Sequence, residues 1–76
     1  MVDFSTITVN GQLIEVQVVA ERYAGKVYQH GLWRVVGVDT KWHRINEVFF
    51  DKGAKKRIVE EVKRQATLML NGQEVS

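Results

Sequence analysis

The sequence predicts an α+β fold: a small antiparallel three- to four-stranded β-meander with one C-terminal amphipathic helix packed on one face. Three observations predict it. Val9-Asn10-Gly11-Gln12 carries an Asn-Gly hairpin signal between alternating apolar residues. Leu32 to Val38 is rich in β-branched and aromatic residues. From Ala54 to Leu70, apolar residues recur at helical spacing.

The first hairpin sets its own register. Asn-Gly suits the two φ > 0 positions of a type I′ turn, so Val9 faces Gln12, Ile7 faces Ile14 and Ser5 faces Val16. Directly opposed residues share a face. One face then holds Ile7, Val9, Ile14, Val16 and Val18, and becomes the core side. The other holds Thr6, Thr8, Leu13, Glu15, Gln17 and Glu21. That face reads as polar, which argues against a large buried interface on it.

Past Tyr23 the glycines at Ala24-Gly25-Lys26 and His30-Gly31 each predict a turn or bulge. A third strand is expected over Leu32 to Val38, with Gly37 marking a bulge or a close backbone approach. Asp39-Thr40-Lys41 is a turn candidate. Residues His43 to Phe50 favour a fourth strand by composition. Trp42, Ile45 and Phe49 also fall at helical spacing, which keeps a short helix open.

The helix is expected over Ala54 to Leu70, with Asp51 as N-cap and Asn71-Gly72 as its stop. Ile58, Val59, Val62, Ala66, Met69 and Leu70 form the apolar stripe. The domain is read as residues 1–72, with 73–76 a flexible tail.

A chain of 76 residues makes one domain with a thin core. Such a core leaves no room for a deep active site. There is no cysteine, so disulfides, zinc-finger ligands and thiol nucleophiles are excluded. Apolar runs are too short to span a membrane. A cysteine-free small domain without a basic, apolar leader at Met1-Val2-Asp3-Phe4 is expected in the cytoplasm.

Charge is unevenly placed. Between Asp51 and Gln65 stand six Lys or Arg against three Asp or Glu; the rest of the chain has five against six. The first helical turns are therefore crowded with cations, where the helix dipole already supplies positive partial charge. Lys52, Lys56 and Lys63 fall on one flank, and Lys55 sits near the apolar stripe, able to snorkel past the sheet edge. Helix amides and lysines together can hold a phosphate. Against this, Lys56–Glu60, Arg57–Glu61 and Glu60–Arg64 are at i,i+4 spacing and would neutralise part of the patch.

Strands followed by a helix opening with Gly53-Ala54-Lys55-Lys56 resemble the end of a double-stranded-RNA-binding domain. The resemblance implies lysines gripping phosphates across a groove. It covers about half the chain. The family's N-terminal helix is missing, since Met1 to Val9 is strand-like, and Ile58-Val59-Glu60-Glu61 replaces its alanine-rich continuation. The family is not assigned.

A second candidate is the cluster Trp33, Arg34, Trp42, His43 and Arg44. Exposed aromatics interleaved with arginine can stack bases or anchor a protein interface, whereas buried tryptophans would simply fill the core. His30 and His43 lack metal-ligand spacing, and His30 beside Gly31 reads as a turn residue. No phosphate-loop, dinucleotide or Ser-His-Asp pattern occurs. No catalytic residue, cofactor, metal or small-molecule substrate is expected.

Two function classes follow. One is a non-enzymatic protein-interaction module, an accessory, regulatory or inhibitor protein of the size phages and mobile elements carry. It would meet a protein partner, or a second copy, at a sheet edge. The alternative is a nucleic-acid or anion binder using Lys52, Lys55, Lys56 and Lys63, with Arg34 and Arg44 as further contacts.

Overall fold

A computed structural model describes residues 2–50 and 53–75, with side chains as far as Asn71. The strands β1 (Val2–Val9), β2 (Gln12–Tyr23), β3 (Lys26–Val35) and β4 (His43–Arg44) form one antiparallel sheet in chain order. The helix α1 (Ala54–Val75) follows and packs on one face. This is the small α+β meander that the periodicity predicts.

The first hairpin has the expected geometry. Asn10 and Gly11 both take positive φ, 49° and 77°, and Val9 pairs with Gln12, Ile7 with Ile14 and Ser5 with Val16. The second hairpin repeats the device at Ala24 and Gly25, with φ of 52° and 77°. The turn falls where Ala24-Gly25-Lys26 predicts one, although a side chain in that left-handed position, as at Ala24, is strained.

From there β2 and β3 pair without interruption, Tyr23 with Lys26 through to Ile14 with Val35. The third strand therefore starts at Lys26, not Leu32, and no turn forms at His30-Gly31. Gly31 serves packing instead. A Cβ there would lie 2.5 Å from Ile58 Cγ2 on α1, so glycine lets the helix approach the sheet. The strand also ends early, at Val35. Gly37 takes φ of 81° in a turn, and Val38 and Asp39 donate their N–H groups to the Val35 carbonyl at 3.2 and 3.0 Å. Gly37 is a turn residue, not a strand bulge.

Residues 43–50 are neither a full strand nor a helix. His43 and Arg44 pair with Trp33 and Leu32, and Ile45 donates to the Gly31 carbonyl at 3.1 Å. The segment then arches out through 46–48. It returns where Phe49 and Gln29 exchange backbone bonds of 2.7 and 2.8 Å. Ile45 turns into the core and Phe49 packs against it, which accounts for the helix-like spacing of the apolar residues here.

In α1, Ala54, Ile58, Val62 and Ala66 are fully buried against Ile14, Val16, Trp33, Val35 and Ile45. Met69 and Leu70 extend the stripe. The expected stop at Asn71-Gly72 is passed, and the helix runs to Val75, into the residues read as a tail. Asn71 keeps helical backbone while its side-chain oxygen accepts a bond from Asn10 Nδ2 at 3.2 Å, so it does not enter a left-handed cap. The proposed cap Asp51 lies outside the described residues.

The helix thus starts level with Gly31 and ends beside the first hairpin turn. The β2–β3 hairpin outruns it, giving a molecule of 44 × 20 × 19 Å.

Candidate functional site

Two lysines of the basic flank of α1 are paired with acids. Lys55 pairs with Asp3 of β1 at 2.7 Å, and Lys63 reaches Glu60 at 3.8 Å. Arg64 pairs with Glu61, whose carboxyl is held below its usual range first by the hydrogen bonds from that guanidinium and then by its charge. These helix pairs form at i,i+3. Neither Lys56–Glu60 nor Glu60–Arg64 forms among the described residues, because Glu60 turns to Lys63 and Arg64 to Glu61. Arg57 lies over the Phe49 ring at 5.7 Å. Lys56 is exposed and Lys52 lies outside the described residues. Asp3 and an aromatic ring thus ease Lys55 and Arg57 at the helix start, while Lys56 stays exposed.

The aromatic and basic cluster divides between the two faces of the sheet. Trp33 is only 2% exposed, in the core under α1, with His43 tilted against it at 4.5 Å. It is a packing residue and has no face free for stacking a base. Arg34 lies on the opposite face, bonded to Glu15 at 2.8 Å and lying over the half-buried Trp42 ring at 4.5 Å. Arg44 is exposed on that face, in register with Leu32.

His30 is not a turn residue. It is buried in mid-strand, bonded to Glu21 at 3.1 Å and stacked on Tyr28 at 5.8 Å. Glu21 also accepts a 2.6 Å bond from the Tyr28 hydroxyl. That bond, then the one to His30, holds the Glu21 carboxyl below its ordinary range, and the bond to Glu21 raises the Tyr28 hydroxyl. His43 bonds Asp39 at 3.0 Å. The two histidines therefore serve separate strand contacts.

The helix-free face differs most from its expected polar character. Register places Val2, Val19 and His30 in one row and Phe4, Gln17, Leu32 and Arg44 in the next. Glu21 and Tyr28 form the row beyond, then Tyr23 and Lys26. Phe50 approaches Tyr28 at 6.4 Å. Phe4, Tyr23 and Phe50 are 63%, 77% and 64% exposed. A shallow apolar depression lies between Tyr23, Tyr28, Val48 and Phe50. Phe4 was legible: it opposes Gln17 once the hairpin register is set. Tyr28 was not, because the turn signal at His30-Gly31 starts the third strand at Leu32, and Phe50 reaches this face only through the irregular chain after Ile45.

The two sheet edges are unlike. Leu13, in β2, accepts a backbone bond from Val36 on the β3 side. Backbone groups alternate sides along a strand. The pairings then place the N–H and C=O of Val2, Phe4, Thr6 and Thr8 on the outer side of β1. At the other edge, Gln29 is bonded by Phe49, Gly31 by Ile45 and Val35 by the turn after it. Val35 N–H also donates to Asp39 Oδ2 at 2.9 Å.

The fold and surface of the described residues define a small α+β meander with one covered face, one aromatic open face and one unpaired edge. No family model, curated protein or solved structure matches the chain. Among the described residues no helix is long and apolar enough to cross a membrane.

Proposed function

We propose that this chain is a small non-enzymatic protein-interaction module, of accessory, regulatory or inhibitor type, acting in the cytoplasm. One observation carries the reading: Phe4, Tyr23 and Phe50 stand exposed on the sheet face that α1 leaves bare. Apolar groups gathered on one face of a small domain mark a contact surface, and partly exposed tyrosines are frequent binding anchors. Arg44, Lys26 and Glu21 border the aromatic residues and supply a polar rim.

The alternative, nucleic-acid or anion binding by the basic flank, has less support. Lys55 and Lys63 are engaged by acidic partners, and Trp33 is buried. Titration with duplex and single-stranded nucleic acid at two salt concentrations separates the readings. The protein-binding reading expects no tight, steeply salt-dependent binding, whereas several phosphate contacts would produce it.

The direct test is site-specific photo-crosslinking in the native host. A photoreactive residue at Tyr23 or Phe50 should capture a discrete protein adduct that one at Lys63 does not. Equal capture from both surfaces would overturn the assignment to this face.

A further inference from the structure

We propose that β1 pairs with β1 of a second copy of this chain, antiparallel about a two-fold axis at Ser5. The two sheets then join into one. This deepens the reading above and shares Phe4 with it, while Tyr23 and Phe50, at the far end of the open face, take no part.

The edge is built to accept a strand. β1 pairs with β2 along its whole length without a bulge. It holds no proline and no lysine, the usual devices that protect an edge. Its only charge, Asp3, is engaged by Lys55 at 2.7 Å, so it does not repel an incoming strand. The opposite edge is occupied by the chain's own residues, which leaves β1 as the open ladder among the described residues.

Geometry selects the register. Only even residues of β1 direct their backbone groups outward, so a second strand must pair even with even. Val2 opposite Thr8 and Phe4 opposite Thr6 engages every outward residue from Val2 to Thr8, in both copies. Sliding by two residues in either direction leaves an outward residue of each strand unpaired.

That register puts Ser5 directly opposite the Ser5 of the second copy, in a non-hydrogen-bonded pair where side chains approach most closely. The Ser5 hydroxyl has no hydrogen-bond partner within the monomer and is covered there by the chain's own atoms. Rotation about its Cα–Cβ bond brings it to the axis, where one hydroxyl donates and the other accepts. The same register sets the two Phe4 rings diagonally, about 7–8 Å apart at the backbone and within aromatic reach. Phe4 is otherwise exposed with only Gln17 opposite it. The register with the most backbone bonds is therefore also the one that satisfies the orphaned hydroxyl, and a second copy is the occupant that does both.

The test is sedimentation of the full chain from about 10 μM to 1 mM, the range in which a small interface of this kind assembles. Mass should rise toward twice the monomer. Because the chain has no cysteine, Ser5→Cys supplies a single thiol. Mild oxidation should link it into a dimer at least about tenfold faster than Gln12→Cys, since the opposed positions lie within disulfide reach. Thr6→Pro, which removes an outward N–H, should stay folded and monomeric. Should that proline disturb folding, Phe4→Lys carries the same test. A monomer at the highest concentration overturns the proposal. So does equal linking at the two thiols, or a dimer that survives Phe4→Lys. None of these results bears on crosslinking at Tyr23 or Phe50.

Discussion

The β1 edge and the β3 edge belong to one sheet, and they end it in opposite ways. Along β3, nearly every outward backbone group from Gln29 to Val35 has a partner supplied by the chain that follows. Phe49, Ile45, His43 and Asp39 each take one station. That cover is not a regular strand, since only His43–Arg44 counts as one. Along β1 no described residue covers the ladder. An edge can therefore be closed by irregular chain, provided apolar anchors hold that chain down. Ile45 and Phe49 are those anchors, one buried in the core and one packed against it.

The largest effect should come from releasing the cover. Ile45→Ala removes a side chain that is only 2% exposed. It should cost about 2–4 kcal/mol in urea unfolding, the range for buried Ile to Ala. A loss below about 1 kcal/mol would show that residues 43–50 are held by backbone bonds alone.

A pair of prolines compares the edges directly. Gln29→Pro and Thr6→Pro each remove an outward-facing N–H, but only the Gln29 N–H is bonded, to the Phe49 carbonyl at 2.7 Å. The first should cost at least about 1–2 kcal/mol, counting the unsatisfied carbonyl. The second should cost less, as proline does on an open edge. Equal costs, measured below the concentration at which the chain self-associates, would erase the distinction.

Asp39→Ala should cost about 1–2 kcal/mol, since it strands the Val35 N–H and frees His43. Amide exchange on dilute protein reads the same contrast without mutation. Gln29, Phe49 and Val35 should be protected, while Phe4, Thr6 and Thr8 exchange quickly. In Asp39→Ala, the protection at Val35 should drop and that at Gln29 should hold.

The smallest effect concerns the β2–β3 contact that both edges share. Glu21 has its carboxyl lowered from 4.5 chiefly by the Tyr28 hydroxyl. Its contribution is present above that value and lost as pH falls through the lowered one. Tyr28 is raised from 10.0 by the same bond, so its contribution is present below pH 10 and lost as pH rises through the raised value. Glu21 is solvent-exposed and Tyr28 half-buried, which keeps the effect small. Glu21→Gln should flatten the acid limb of stability against pH; an unchanged limb would remove the Glu21–Tyr28 bond as its cause.

Much of this architecture was legible in local patterns. Asn10-Gly11 set a turn type, and the turn type set a register that places Ser5 opposite Val16. The stripe of Ile58, Val62, Ala66, Met69 and Leu70 announced the helix and its buried face. Gly31 and Gly37 misled, because glycine marks several different needs. At Gly31 the need was space for Ile58, at Gly37 a positive φ. The turn at Ala24-Gly25 was legible through its glycine. The turn signal at His30-Gly31 instead starts the third strand at Leu32, which leaves Tyr28 outside it. Of the site residues, the basic flank was visible as charge and Glu60 and Glu61 as its local acids, but the partner of Lys55 was not. Asp3 lies far from Lys55 in sequence and meets it only where β1 passes the helix start.

The sequence by itself determined the class of fold, the first hairpin with its register, and which helix face is buried. These follow from spacing between near neighbours, where a turn or a 3.6-residue repeat leaves few alternatives. Tertiary structure decided what the surface offers. It paired Lys55 with Asp3, buried Trp33, lined Phe4 and Tyr28 along one bare face, and sealed one edge while leaving the other open. Each of those outcomes depends on residues distant in the chain arriving at one place, and no local pattern encodes where they meet.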